Sequence, residues 1–100
     1  MRIIAVSTLK AFWESKPAYM DAKPSLLAWH GFILKADWAS PTDLKRDFRN
    51  ASILQAGRVV FNIAGNKYRL VVKINYPHRV VYIRFIGTHV QYDAIDAQTI

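Results

Sequence analysis

Apolar and polar residues alternate with a period of two along three runs in the second half of the chain. The runs are Arg58 to Ile63, Lys67 to Asn75 and Arg79 to Ile86, and such alternation is typical of half-buried β-strands. Gly65-Asn66 favours a two-residue hairpin turn, and Asn75 to His78 suits a four-residue turn. The pattern therefore predicts three antiparallel strands joined by two hairpins.

The first half of the chain begins with a predicted strand and continues with helical spacing. Arg2 to Val6 is a short, mostly apolar run that predicts the strand. Ser7 or Thr8 is the expected cap of the helix that follows, and Pro17 is expected to end that helix. Its apolar residues recur at helical spacing, at Leu9, Phe12 and Trp13.

Two more helices are predicted before the sheet. Pro24 suits the first turn of the second helix. In the third, Ser40 caps the helix and Pro41 takes the first helical position, and the helix continues to Phe48. Gly57 then opens the sheet. The second helix is expected to bury one apolar stripe, formed by Leu26, Leu27, His30, Ile33 and Leu34.

The two turns fix a register, and the register divides the sheet into two faces. Asn62 is predicted to lie beside Arg69, and Arg69 beside Arg84. The face that the N-terminal helices cover is apolar and contains Val59, Phe61, Ile63, Tyr68, Leu70, Val72, Ile74, Val81, Ile83 and Phe85. The face left open carries Arg58, Asn62, Arg69, Lys73, Tyr82 and Arg84 among Val60, Val71, Val80 and Ile86.

The predicted cross-strand pair of Arg69 and Arg84 indicates an anion site. Like charges directly opposite each other are destabilising, and no acid lies near them in the sequence. A bound phosphate would offset the repulsion, because its oxygens match the guanidinium fork. The open face is therefore expected to bind RNA phosphate. The alternative is that each arginine points into solvent or meets a carboxylate from Asp37, Asp43, Asp47 or the C-terminal acids.

The distribution of charge supports an anionic partner. The formal net charge is +7, and the segment from Phe48 to Tyr92 holds seven basic residues and no acidic ones. A chain of 100 residues with 52% hydrophobic content is expected to fold as one domain, residues 1–100. Such a basic domain favours nucleic acid or another anionic surface, with an acidic protein as the alternative.

The sequence excludes several kinds of functional site. The chain has no cysteine, so disulfides, thiolate metal sites and cysteine nucleophiles are ruled out. The three histidines are far apart, and neither a phosphate-binding loop nor a dense carboxylate cluster is present. No metal and no cofactor are therefore expected. No apolar run reaches the length of a signal-peptide core or of a membrane span, which predicts a cytoplasmic protein without membrane contact.

Candidate catalytic residues lie where the third predicted strand of the hairpins ends. His89 and Tyr92 are three residues apart, so one helical turn would bring them to the same side. Histidine titrates near neutral pH and suits general acid–base catalysis. Tyr92 would be its partner or a platform on which a base stacks. Asp93 could orient His89, or it could begin or cap a helix.

These residues together suggest a metal-independent ribonuclease. RNA carries its own nucleophile, the 2′-hydroxyl, so the enzyme needs a base, an acid and cations that stabilise the charged phosphorane. Arg69 and Arg84 would be the stabilising cations, with Lys67 helping, and which group is the base stays open. Further RNA contacts are expected from Asn62, Asn66, Arg58 and Lys73. Lys45 and Arg46 are most simply a solvated helix face, with phosphate contact as the alternative.

Two long segments carry a resemblance to a known family. They are Val60 to Val71, with the sequence VFNIAGNKYRLV, and Val81 to His89, with the sequence VYIRFIGTH, followed by Tyr92-Asp93. They resemble the HigB-type mRNA interferase toxins of bacterial toxin–antitoxin modules, which belong to the RelE-like superfamily. The resemblance covers nearly the whole chain, including the Ser40-Pro41 helix start. It places the family's polar positions on Asn66, Lys67, Arg69, Arg84, His89 and Tyr92.

The resemblance implies a fold and a biological role. The fold would be α+β and RelE-like, with an N-terminal strand and two to three helices packed on one face of a twisted antiparallel sheet. The chain would be the toxin of a type II module that cleaves mRNA, often on the ribosome, and so inhibits translation. Some members use a glutamate base, which the acid-free sheet lacks. The residues alone leave open a non-catalytic RNA- or ribosome-binding module and a domain that binds an acidic protein.

The resemblance also implies partners. The toxin would bind a cognate antitoxin of the HigA type, typically a helix-turn-helix protein that also binds the promoter of the operon. Operator DNA would then be contacted only through the antitoxin. The N-terminal helices, with Trp13, Trp29 and Trp38, are a candidate docking surface, although at least two of these side chains are expected in the core.

Overall fold

A five-stranded sheet forms the centre of the computed structural model, which describes all residues from 1 to 100. Its strands are β1 (Arg2–Ile4), β2 (Ser52–Ile53), β3 (Arg58–Ile63), β4 (Tyr68–Asn75) and β5 (Val80–Thr88). Their spatial order is β1-β5-β4-β3-β2. The predicted α+β class is confirmed, but the sheet is mixed, because β1 joins the edge of β5 in the parallel direction.

Four α-helices and one short 3₁₀ turn complete the fold. They are α1 (Ser7–Ser15), the 3₁₀ turn Pro17–Tyr19, α2 (Ala22–Lys35), α3 (Pro41–Asp47) and α4 (His89–Asp93). Ser40 caps α3 as predicted, and its side chain accepts from the Asp43 amide. The predicted cap of α1 is wrong, because the residue before its first turn is Val6 and no side chain caps it. None of the helices has the length and apolar character needed to cross a bilayer.

Helix α2 buries a different stripe from the predicted one. Leu27 and Leu34, expected inside, are 49% and 51% exposed. Trp29 takes the centre of the buried stripe and packs edge-on against Phe61, with ring centroids 5.6 Å apart. A tryptophan buries more apolar surface than a leucine, which favours the helix rotation that places its ring inside. The buried residues of α2 are Ala22, Leu26, Trp29 and Ile33.

The core lies between the helices and one face of the sheet. It is a single cluster of 19 buried residues drawn from the N-terminal helices and the strands. All three tryptophans belong to it, which confirms that at least two are core residues. The indole nitrogen of Trp38 donates to Asp47 Oδ2 at 2.8 Å, so its polar atom is satisfied.

The first hairpin has the predicted register and the second does not. Asn62 pairs with Arg69 across β3 and β4. In the second hairpin Asn75 pairs with Val80, so the turn begins and ends one residue later than predicted. The backbone of Arg79 has a φ of 55°, a left-handed conformation that belongs to a turn and not to a strand.

A β-bulge then shifts β5 by one further residue relative to β4. The shift lies between Val71 and Val72. Beyond it, Arg69 pairs with Gly87, and Arg84 falls at the bulge without a directly opposed partner. The predicted pairing of Arg69 with Arg84 is therefore wrong. The alternation of apolar and polar residues did not reveal the bulge, because one extra residue in a strand leaves the alternation on either side of it intact.

The bulge also exchanges the two faces for the residues that follow it. Ile86, predicted on the open face, is 9% exposed and belongs to the main core. Phe85, predicted in that core, packs on the opposite face against a second cluster that contains Val60 and Val71. The predicted positions of Phe85 and Ile86 are thus both wrong, and for one reason.

The face predicted to be open is covered in its middle by the C-terminal segment, residues 94–100. Ala97 is 8% exposed there and forms a small apolar cluster with Val60 and Val71. Partly buried side chains surround this cluster, and they are Leu54, Phe85, Tyr92, Ile95 and Ile100. The outer face is therefore an apolar centre with polar residues on either side of it.

Candidate active site

Two polar rows lie on the outer face, one on each side of the apolar cluster. The first, the Arg69 row, crosses β3, β4 and β5 through Asn62, Arg69 and Gly87. The second, the Tyr82 row, crosses the same strands through Arg58, Lys73 and Tyr82. Because Arg69 and Lys73 are four residues apart on one strand, the rows are about 13 Å apart.

Arg69 is held in place by main-chain oxygens and not by a carboxylate. Its Nη1 donates to the carbonyl oxygen of Asn66 at 2.8 Å and to that of Tyr68 at 3.3 Å. No ion pair involves it, so its positive charge is not neutralised by an acid. Its cross-strand neighbours are the exposed Asn62 and Gly87, which has no side chain. The row therefore presents a guanidinium that is held by main-chain oxygens and is not neutralised by an acid.

Helix α4 begins directly where β5 ends, because Thr88 forms a capping box with Gln91. The Thr88 hydroxyl accepts from the Gln91 amide at 3.2 Å, and the Gln91 side-chain oxygen accepts from the Thr88 amide at 2.9 Å. This arrangement fixes the chain direction at the strand end. It places His89 two residues beyond Gly87, at the end of the Arg69 row.

Gly87 is required by this local packing. A Cβ atom at position 87 would lie 2.5 Å from Phe85 Cζ and 2.7 Å from the Gln91 side-chain oxygen. Both distances are far below ordinary contact. The glycine thus lets the Phe85 ring and the capping box occupy the space beside the Arg69 row.

His89 lies beside a carboxylate on its own helix. Its Nδ1 lies 3.5 Å from Asp93 Oδ2, and both side chains are more than half exposed, at 56% and 59%. With Nδ1 turned toward the acid, Nε2 is left for solvent or substrate. Of the two roles considered for Asp93, the geometry favours orientation, since Thr88 is the cap. The ring of Tyr92 packs on the apolar cluster, which anchors α4 to the sheet.

Two basic residues of the acid-free segment find acids in the helical half. Lys67 pairs with Asp21, and Arg79 with Asp37 at 2.6 Å. Asp21 also accepts from the Tyr68 hydroxyl. The Lys67 and Tyr68 donors lower the pKa of Asp21, and the bond to Asp21 raises the pKa of Lys67. Neither pair involves Arg69 or Arg84, the two arginines for which carboxylate partners were considered.

Three residues that were predicted to contact RNA make hydrogen bonds or ion pairs within the protein. Arg58 donates to the main-chain oxygens of the last two residues, at 2.8 and 3.2 Å. Lys45 donates to two carbonyl oxygens in the loop after α3, at 2.6 and 2.7 Å. Arg46 pairs with Asp43. These side chains stabilise local structure, although exposed ends of Lys45 and Arg46 remain accessible.

The side chains of Lys73 and Arg84 make no hydrogen bond or ion pair within the protein. Both line a groove of about 490 Å³ beside the second hairpin turn, together with Tyr82. The structure thus brings Arg84 to the Tyr82 row and not to Arg69. Sequence reasoning placed Tyr82 on the open face but gave it no function. Its aromatic ring among uncompensated cations is the signal that could have identified it.

No group of three or more His, Asp or Glu side chains converges, so the residues present do not form a metal-binding cluster. The site consists of the Arg69 row, the His89–Asp93 pair and the more distant groove. This combination of cations and one imidazole fits the binding and cleavage of a phosphodiester.

Comparison with known proteins identifies the family. Residues 22–95 match the model of the HigB toxin family, described as the RelE-like toxic component of a toxin–antitoxin system. The mRNA interferase toxin HigB of Escherichia coli (strain K12) is 30% identical over 92 residues, covering 90% of this chain and 88% of that protein. The mRNA interferases HigB of Escherichia coli O157:H7 and Shigella flexneri match to the same extent. The chain therefore belongs to the HigB toxins, the RelE-like toxic components of toxin–antitoxin systems.

Proposed function

We propose that this toxin is an endoribonuclease that cleaves mRNA and thereby inhibits translation. The observation that carries the proposal is the oriented His89–Asp93 pair at the end of the row that holds Arg69. The imidazole follows Gly87 by two residues, and Gly87 is the cross-strand partner of Arg69, whose guanidinium no acid neutralises. The relatives named mRNA interferase support the choice of mRNA as substrate.

The reaction would be an internal transesterification of RNA. A base takes the proton of the 2′-hydroxyl, whose oxygen attacks the adjacent phosphorus while the bond to the 5′-oxygen breaks. An acid gives a proton to that leaving oxygen, and the products are a cyclic phosphate and a free 5′-hydroxyl. His89 supplies one of the two proton transfers through Nε2, and Tyr92 is its partner in the other. No metal or cofactor takes part in these steps.

Cations stabilise the charge that develops on the phosphorane. Arg69 pairs across the strands with Gly87, two residues before His89, and its two main-chain bonds limit its motion, as preorganised stabilisation requires. Arg84 lies three residues from Gly87 on β5, about 10 Å away. We assign its long side chain to the RNA backbone at a phosphate further along the strand than the cleaved one. Asn62, Asn66, Lys67 and Lys73 would contact neighbouring nucleotides.

A toxin of this family acts with an antitoxin. We propose a helix-turn-helix antitoxin of the HigA type as the partner, with operator DNA contacted only through it. The substrate would be mRNA on the ribosome, which places the action in the cytoplasm. The whole chain, residues 1–100, would be one toxin domain, because the main core joins the N-terminal helices to every long strand.

The test compares the intact protein with His89→Ala and with His78→Ala. His78 is an exposed histidine in the second hairpin turn, at the far end of the sheet from α4, and serves as the matched control. Cleavage of a defined mRNA is followed with and without ribosomes, and RNA affinity is measured at several salt concentrations. His89→Ala should lose about 10²- to 10⁴-fold in cleavage rate and keep its affinity. His78→Ala should behave like the intact protein.

The outcomes separate an enzyme from a binding module. If the intact protein binds RNA but never cleaves it, with or without ribosomes, the chain is a non-catalytic RNA- or ribosome-binding module. If His89→Ala cleaves as fast as the intact protein, His89 has no role in the chemistry. Induced expression gives an independent readout, since only the intact protein and His78→Ala should arrest growth.

A further inference from the structure

The groove beside the second hairpin turn is separate from the proposed catalytic end. It has a volume of about 490 Å³, and its walls come from β4, the turn and β5. The apolar cluster under the C-terminal segment lies between the groove and the Arg69 row. The charged and aromatic side chains of the groove are Lys73, Tyr76, Tyr82 and Arg84.

The groove is positively charged and contains no acid. Lys73 is paired across the strands with Tyr82, and Arg84 lies two residues further along β5. None of the residues that line the groove is acidic. Asp37, which reaches the second hairpin turn, is paired there with Arg79. Arg2 is exposed on the same face, where β1 pairs with Val80. Every charge that faces the groove is therefore a cation.

Tyr82 gives the groove an aromatic surface. The side chain is 36% exposed, although it is large and lies on a strand with β-strands on both sides. This side chain takes part in no hydrogen bond or aromatic pair of the structure. An unpaired aromatic ring on a sheet face, between cations, is the arrangement with which sheet proteins stack nucleic-acid bases.

We propose that this groove is a second nucleotide-binding subsite, in which a base of single-stranded RNA stacks on Tyr82. Lys73 and Arg84 hold the phosphates on either side of that nucleotide. The proposal rests on the proposed function for the identity of the ligand, an RNA. It differs from that function in assigning recognition to a place about 13 Å from Arg69.

The position of the subsite predicts which kinetic parameter Tyr82 affects. Because the C-terminal segment covers the sheet between the groove and the Arg69 row, the RNA must pass over that segment. The stacked base is then a few nucleotides from the cleaved bond. Tyr82 should accordingly affect RNA affinity and KM and leave the rate of the chemical step unchanged, whereas His89 should do the reverse.

The experiment uses the full chain and a short single-stranded RNA that carries 2′-O-methyl groups, which it cannot cleave. Affinity is measured for Tyr82→Phe, Tyr82→Leu and Tyr82→Ala. Tyr82→Ala and Tyr82→Leu should each lose roughly 5- to 100-fold in affinity, because stacking contributes that much per base. Tyr82→Phe keeps the ring and should stay within about twofold of the intact protein. Tyr82→Leu also keeps an apolar side chain, so it provides a folded variant if Tyr82→Ala fails to fold.

Charge contributions are tested by the dependence of affinity on salt. Lys73→Ala and Arg84→Ala should each reduce the slope of log affinity against log salt by about 0.7, the value expected per phosphate contact on a single strand. The control is Lys10→Ala, which removes the same charge from an exposed position on α1, in the helical layer on the other side of the sheet. It should leave the slope unchanged.

Failure of this inference can be told apart from failure of the proposed function. If Tyr82→Ala and Tyr82→Leu bind the RNA as well as the intact protein, the subsite is wrong even though cleavage persists. If the intact protein never cleaves RNA but Tyr82→Leu weakens binding, the subsite stands and the enzymatic function falls. An intact protein that does not bind the RNA overturns both.

Discussion

The two faces of the sheet are made by the same strands and follow different constraints. The face beneath the helices belongs to a cluster of 19 buried residues. On the outer face, a cluster of only three buried residues, Val60, Val71 and Ala97, lies between two polar rows. One face holds the fold together, and the other leaves cations and an imidazole free for a ligand. Neighbouring residues on β4 therefore have opposite roles.

The sharpest test of this contrast uses two neighbours, Leu70 and Arg69. Leu70 is fully buried in the main core, so Leu70→Ala should cost about 2–5 kcal/mol of unfolding free energy. Arg69→Ala should cost about 1 kcal/mol or less and lose roughly 10²-fold in RNA cleavage. Urea unfolding and cleavage assays on both variants provide the measurements.

The reverse pattern would contradict the division of the faces. If Arg69→Ala unfolded the protein as readily as Leu70→Ala, the Arg69 row would be part of the stabilising core. If folded Leu70→Ala lost cleavage as strongly as Arg69→Ala, the chemistry would depend on the inner face.

Gly87 on the outer face and Gly31 in α2 test how much space the packing leaves at each position. Gly87→Ala would place a methyl group 2.5 Å from Phe85 Cζ, and overpacking of this kind costs about 1–3 kcal/mol. A methyl group at Gly31 in α2 would meet no other atom within 4 Å, so Gly31→Ala should stabilise the protein by about 0.5–1 kcal/mol. Thermal unfolding measures both. Equal effects of the two substitutions would mean that the region around Gly87 adapts freely.

The contrast between the faces also shows what the sequence could predict. Strand alternation identified the inner face as far as Ile83 and the pairing of Asn62 with Arg69, since both depend on local pattern. The bulge near Arg84 was not predictable, because one extra residue in β5 leaves the alternation on each side intact. His89 and Tyr92 were proposed as site residues from their chemistry and their spacing. Which residues lie beside them in the sheet depends on the strand register.

Contacts between distant residues account for the other differences. Asp21 and Lys67 are 46 residues apart, and nothing local indicates their pairing. The C-terminal cover of the outer face depends on the burial of Ala97, a residue with weak local preference. The exposure of Leu27 follows from the preference for burying Trp29, which is decided by tertiary packing.

The Asp21 contact joins the helical layer to the turn of the first hairpin and should make stability depend on pH. Bonds from Lys67 and Tyr68 hold the pKa of Asp21 below its usual 3.8, so the folded state binds this proton more weakly than the unfolded state. The stabilisation of the folded state by ionised Asp21 is present above about pH 4 and is lost as the pH falls further. Asp21→Asn should therefore lower the urea midpoint at pH 7 by a modest amount.

The difference between Asp21→Asn and the intact protein should shrink as the pH falls below about 4. Asp96→Asn provides a control, because Asp96 is an exposed acid of the C-terminal segment that makes no ion pair. A difference at pH 7 that stayed constant down to about pH 2 would show that Asp21 stabilises the fold without its charge.

The smallest effect is expected for the hydroxyl of Tyr76, which lies below the Tyr82 groove. This hydroxyl is buried and has no hydrogen-bond partner, and burial raises the pKa of Tyr76. Tyr76→Phe removes an unsatisfied group and should leave stability unchanged or raise it by about 1 kcal/mol. Tyr68→Phe, in contrast, loses the bonds to Asp21 and to the Ala18 carbonyl and should lower stability. RNA affinity should be the same in Tyr76→Phe as in the intact protein, because the stacking ring is that of Tyr82. A weakened affinity would mean that RNA reaches the buried hydroxyl and that the groove opens when RNA binds.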